Sequence, residues 1–196
     1  MSKHWYLKPF RRARPASSAW NLLKTAGQIV VFWTVFLVLV PLLLASLERR
    51  FELPPLPCFA PASIVLLGLA SALGLASGFT MAVHGAGTPL PVDAPRRLVV
   101  RGPYRFVRNP MAIAGLSQAA CVACLLGSWF SLLPVVTGFV VWNYGVRPIE
   151  EQDLETHFGA AYRAYCQAVR CWIPRFPGYA EDPAANSTPT MTAERE

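Results

Sequence analysis

Arg101-Gly102-Pro103-Tyr104-Arg105-Phe106-Val107-Arg108-Asn109-Pro110-Met111 is the most polar and turn-rich run between two long apolar halves of the chain. Three arginines, two prolines and a glycine fall within these eleven residues. A run so charged and so broken cannot cross lipid, where every backbone polar group must be satisfied internally. It reads as a surface loop, and its arginines place it on the cytoplasmic side of a membrane. The rest of the chain is read outward from it.

The 196 residues are 54% hydrophobic and only 15% charged, against roughly 25% charged in soluble domains. The formal net charge is +7. The positive residues border apolar runs, so they read as topology signals and head-group contacts rather than as a nucleic-acid surface. The five cysteines have no framework spacing. Cys121 and Cys124 form a C-x-x-C inside an apolar run, where they read as small packing residues of one helix face and not as a metal site.

Upstream, residues 1–25 form a basic, aromatic tail, expected in the cytoplasm. Four apolar stretches follow, expected as membrane helices over about 26–47, 62–83, 111–127 and 129–146. The first has no charge from Gln28 to Leu47, enough at 1.5 Å per residue to span a hydrocarbon core of about 30 Å. Pro41 lies within it and is expected to kink it. The second is rich in small residues; Gly74 and Gly78 make a G-x-x-x-G that lets neighbouring helices approach closely. The last two are separated by Gly127-Ser128. Pro148 with Glu150 and Glu151 behind it reads as the start of a further helix, 148–172, on the cytoplasmic surface. Its apolar face is Ile149, Leu154, Phe158, Ala161, Tyr162, Tyr165 and Val169, and Gly159 is a candidate break. Residues 177–196 read as a disordered tail. The expectation is an all-α, multi-pass membrane protein with one domain over 26–176 and both termini in the cytoplasm.

Three polar clusters should then meet at one surface: His84 to Thr88, Arg101 to Pro110, and Arg147 to Glu151. Gly85 and Gly87 expose backbone to a close ligand. Arg105 and Arg108 offer planar donor forks for a carboxylate or phosphate. Glu150 and Glu151 suit paired hydroxyls or a cation, or are simply an acidic helix start. A ligand with a carboxylate, a diol and a positive centre satisfies all three clusters. S-adenosylmethionine is one such ligand, although spacing alone does not single it out. His84 and His157 read as ordinary polar surface residues before they read as bases.

The order Gly102-Pro-Tyr-Arg-Phe-Val-Arg-Asn-Pro-Met111, then Glu150-Glu151-x-x-Leu154-x-x-x-Phe158-Gly159-x-x-Tyr162-x-x-Tyr165, then Ile173-Pro174, resembles the integral-membrane methyltransferases over about residues 60–176. That group includes isoprenylcysteine carboxyl methyltransferases and phospholipid N-methyltransferases. The resemblance implies an S-adenosylmethionine-dependent enzyme acting on a lipid-like acceptor. It implies cofactor contacts at Gly85, Gly87, Tyr104, Arg105, Arg108, Asn109, Pro110, Glu150 and Glu151, with Arg108, Asn109 and Glu151 nearest the chemistry. Two positions depart from the pattern. Asn109 stands where relatives have histidine; it hydrogen-bonds but does not titrate near neutrality. Ala112 stands where a tyrosine is frequent. A non-catalytic protein that keeps the fold is the alternative; a transporter is disfavoured, because the apolar runs lack the ionisable residues of an ion path.

Overall fold

A computed structural model describes residues 17–88 and 95–180, and these are helical, with no strand among them. The parts of the expected tails at 1–16 and 181–196 lie outside the described residues, as do Pro91 and Asp93.

The first rod begins earlier than expected. Ser17 accepts a hydrogen bond from the Trp20 amide and starts α1 (Ser18–Trp33) inside the basic segment read as a tail, as a side-chain oxygen at a helix N-cap does. A six-residue π-helical stretch, Thr34–Leu39, joins α1 to α2 (Val40–Glu48). Pro41 therefore does not break the rod. A proline ring clashes with the carbonyl four residues back and donates no bond to it, and widening the preceding turn relieves that clash: the Val40 amide donates to the Val35 carbonyl.

The same device recurs before Pro148. Helix α5 (Leu133–Val140) passes through a second π-helical stretch, Val141–Val146, into α6 (Arg147–Ala168). The amide of Arg147 reaches back to Trp142. Pro148 was expected to open a separate helix; the chain instead crosses it in one unbroken rod. The break comes at Gly159, with φ 51° and ψ −121°.

Helices α3 (Ala60–His84) and α4 (Pro110–Leu126) form the central pair. The two glycines of the G-x-x-x-G serve different neighbours. A Cβ on Gly74 would sit 3.4 Å from Ala114 of α4, and one on Gly78 would sit 3.2 Å from Thr25 of α1. Gln118 donates to Ser71 at 2.9 Å across the pair. Among the described residues two helical rods, Ser18–Phe51 and Ala60–His84, are long and apolar enough to cross a membrane, and α4 is a shorter apolar helix. Much of their apolar surface is outward-facing, as at Val30, Leu43, Ile64 and Leu69, which suits lipid as the surrounding solvent.

At one end, the turn between α4 and α5 is held by Glu48. Its buried carboxylate accepts from the Ser128 hydroxyl and from the amides of Trp129 and Phe130, the latter two at 3.0 Å. At the other end, Tyr162 and Tyr165 of α6, with Val169 just after it, join Val100 in a small core. Ile149, expected on the same face, is 45% exposed. The chain after α6 runs back along the 105–108 segment. Arg108 N donates to Arg170 O at 3.0 Å, Arg175 N to Phe106 O at 2.8 Å, and Tyr179 N to Arg105 O at 2.8 Å. Residues 177–180 thus belong to an ordered strap and not to a disordered tail; backbone pairing and the Tyr165–Tyr179 ring contact fix them.

Candidate active site

A cavity of about 650 Å³ runs from this charged end towards the middle of the rods. Its polar end is lined by Tyr104, Arg108, Asn109, Arg147, Glu150 and Glu151; its apolar end by Phe32, Trp33, Phe36, Leu37, Pro134 and Gly138. Two of the three clusters expected to meet there do so.

Short-range geometry sets each side chain. Gly102, at φ +55°, turns the chain into the short 3-10 helix Gly102–Arg105, a conformation that costs other residues more. Tyr104 is thereby buried, and its carbonyl accepts from the Tyr165 hydroxyl at 2.6 Å. Asn109 is the N-cap of α4, its side chain accepting from Ala112 N at 3.4 Å, and Pro110 occupies the first turn. Asparagine is among the strongest N-cap residues, which gives Asn109 a structural reason to stand at this position.

Arg108 is the hub. One terminal nitrogen donates to Glu151 at 2.9 Å and to Cys166 Sγ at 2.8 Å, with Tyr162 Oη at 3.5 Å. Burial alone would lower the pKa of its guanidinium, but Cys166 and Glu151 hold it above its ordinary value. Its Nε is buried without a hydrogen-bond partner. Glu151 accepts on the same oxygen from Arg147 Nε, also at 2.9 Å. Arg147 and Trp172 both donate to Asn143 at 3.0 Å, which anchors this corner.

Glu150 differs from its neighbour. It lines the cavity, half-buried, and no described residue donates a hydrogen bond to it. Burial, and then the Glu151 and Asp153 carboxylates, push its pKa up to about 7. Burial and the Glu150 charge also raise the Tyr104 phenol, which stays neutral.

Other expected residues lie outside the lining. Arg105 turns to the strap, its Nε donating to Tyr179 O at 2.8 Å. Gly85 is buried behind the wall. Its carbonyl accepts from the Arg96 and Arg97 amides, and a Cβ there would come within 2.9 Å of Pro95 and 3.0 Å of Val99. Gly85 lets this layer close; neither it nor Gly87 presents its backbone to the described cavity. His84 contacts Thr80 O within α3, and His157 pairs with Asp153 on the surface. The residues that sequence reading missed are Thr25, Gln28 and Trp142, all on the wall. Polar residues at 21, 25 and 28 of an apolar helix were the available signal for the first two.

A helical membrane protein with an ion-paired loop closing a largely apolar cavity is the class that this fold and site define. The chain belongs to the phospholipid methyltransferase family, whose model matches residues 61–161. That span runs from the start of α3 to within α6 and includes Arg108, Asn109, Glu150 and Glu151; α1 precedes it. A search of curated proteins found no match to the chain.

Proposed function

We propose that this protein is an S-adenosylmethionine-dependent methyltransferase whose acceptor is the amine head group of a membrane lipid. The observation that carries the reading is the meeting of Arg108, Glu150 and Glu151 at the polar end of a cavity whose other end is apolar. The residues present fit the cofactor. Buried donors without partners, Arg108 Nε and Trp142 Nε1, stand with the unbonded Glu150 carboxylate in one wall, and a molecule with an amino-acid end and a diol offers the matching groups. When bound, S-adenosylmethionine supplies a methyl group activated by a sulfonium.

In this reading Arg108 and Asn109 hold the carboxylate end, and Glu151, oriented by Arg108 and Arg147, holds the amino or ribose end. Pro110 fixes the start of α4, Tyr104 closes the wall, and Gly85 keeps the supporting layer thin. Arg105 acts one step away, by tying the strap to the loop. A lipid ammonium must lose a proton before its nitrogen can attack. Glu150, with a pKa of about 7 and no counter-ion, is the group placed to take it; Glu151 is neutralised by two arginines. Four membrane crossings, with the 84–109 loop and both termini in the cytoplasm, follow from the arginine distribution.

The test is calorimetric titration of the detergent-purified protein with S-adenosylmethionine, followed by mass spectrometry of lipids after incubation with labelled cofactor. Binding weakened by Arg108→Ala, and label in an amine-bearing lipid, is expected. Absence of binding sinks the proposal.

A further inference from the structure

Helix α1 lies before the family-matched region, yet from Thr25 onward it and the π-helical stretch that continues it form one wall of the cavity. Two polar residues of this wall, Thr25 and Gln28, are unusual for an apolar rod. Thr25 is 3% exposed, and its hydroxyl has no hydrogen-bond partner. Gln28 donates through Nε2 to the fully buried Thr88 at 3.1 Å, which leaves its Oε1 buried and unpartnered. Buried polar atoms without partners are costly, and two on adjacent turns of one cavity wall point to a ligand. Further along the helix the same wall is Phe32, Trp33 and Phe36. From Thr25 to Phe36 is about 17 Å of helix at 1.5 Å per residue, so one amphiphile lying along α1 would meet polar atoms at one end and rings at the other.

Gln28 Oε1 is an acceptor, the Thr25 hydroxyl accepts as well as donates, and neither carries a charge. A carboxylate would meet repulsion from Gln28 Oε1 and from Glu150, which lines the same cavity; an amine would be accepted by both. We infer that α1 selects the acceptor: Gln28 Oε1 and Thr25 Oγ1 receive the N–H groups of a lipid amine head group, while Phe32, Trp33 and Phe36 take its chain. This rests on the amine-methylation reading and adds to it a preference for the least methylated head group. Each methyl already present removes one N–H that these atoms can accept, whereas Arg108 and Glu151 are indifferent to that number.

The test uses the full chain in detergent and native mass spectrometry with two dioleoyl phospholipids, one with an ethanolamine and one with a choline head group. The wild type should retain the ethanolamine lipid about fivefold more than the choline lipid, the scale of one or two net hydrogen bonds. Thr25→Val, close to isosteric, should reduce that preference, and Thr25→Val with Gln28→Leu should abolish it, while Phe32→Ala weakens both lipids alike. Titration of the same preparations with S-adenosylmethionine should give one affinity throughout. A wild type without preference, or a preference that survives the double substitution, overturns the inference. A preserved lipid preference with no cofactor binding instead sinks the methyl-transfer reading and leaves the amine subsite standing.

Discussion

Arg108 and Glu151, 43 residues apart in sequence, meet at 2.9 Å, and Glu151 shares the accepting oxygen with Arg147. Arg108 reaches Glu151, Tyr162 and Cys166 through one terminal nitrogen, and its unpartnered Nε is a further donor in the same plane that a lysine ammonium does not have. Arg108→Lys should therefore lower cofactor affinity about tenfold, read by calorimetry. Glu151→Gln leaves two arginines without a carboxylate partner. It should cost about 1–2 kcal/mol in thermal stability, a figure kept low because the pair is partly solvated.

Glu150 gives the activity a pH signature. With a pKa of about 7, its basic form grows as pH rises through neutrality, so the methylation rate should rise across that range and level off above it. Glu150→Gln should flatten the profile and lower the rate about 100-fold. The linked stability runs the other way. A folded pKa above the ordinary 4.5 means that the native state holds a proton the unfolded chain has lost between about pH 4.5 and 7. This group's contribution to stability is therefore full below that window, declines as pH rises through it, and is constant above. Melting temperatures of wild type and Glu150→Gln should diverge across that window.

Asn109 separates capping from chemistry. Asn109→Ala should lower stability by about 0.5–1 kcal/mol, the low end for an N-cap because the bond is long. Asn109→Asp keeps the cap and should restore that loss. Chemical denaturation checks both.

Gly102→Ala should be severe for its size. Its φ is +55°, and an added Cβ would lie 2.6 Å from Thr80 Oγ1. The left-handed strain alone costs about 1–2 kcal/mol. The turn that seats Tyr104 should shift, so cofactor affinity falls along with stability.

Much of this was legible in the sequence, because long apolar runs and a charged break have few physical readings in lipid. The convergence of 101–110 with 147–151 followed from helices returning to one surface. Other features were not legible. A proline in a helix announces a lost hydrogen bond, but whether the rod kinks, stops or widens depends on the neighbouring turn; both Pro41 and Pro148 follow π-helical stretches. Arg105 and Arg108 share a residue type and a segment, and only the three-dimensional turn sends one to the strap and the other to the cavity. Gly85 was read as exposed backbone and serves as a spacer, since the 95–99 layer that covers it is a tertiary contact. Tyr179 looked like part of a polar tail, and its order comes from pairing with Arg105, which no local pattern encodes.

The strap also fixes when the site comes into being. Arg108 depends on Glu151, Tyr162, Cys166 and the carbonyl of Arg170, and the loop that bears it is clasped by Arg175 and Tyr179. During synthesis α1 to α4 emerge, with all the apolar length they need, well before any of these partners exist. The charged corner around Arg108 is therefore the last part of the protein to be assembled, and a nascent chain that has already reached lipid lacks it until residues up to Tyr179 have left the ribosome.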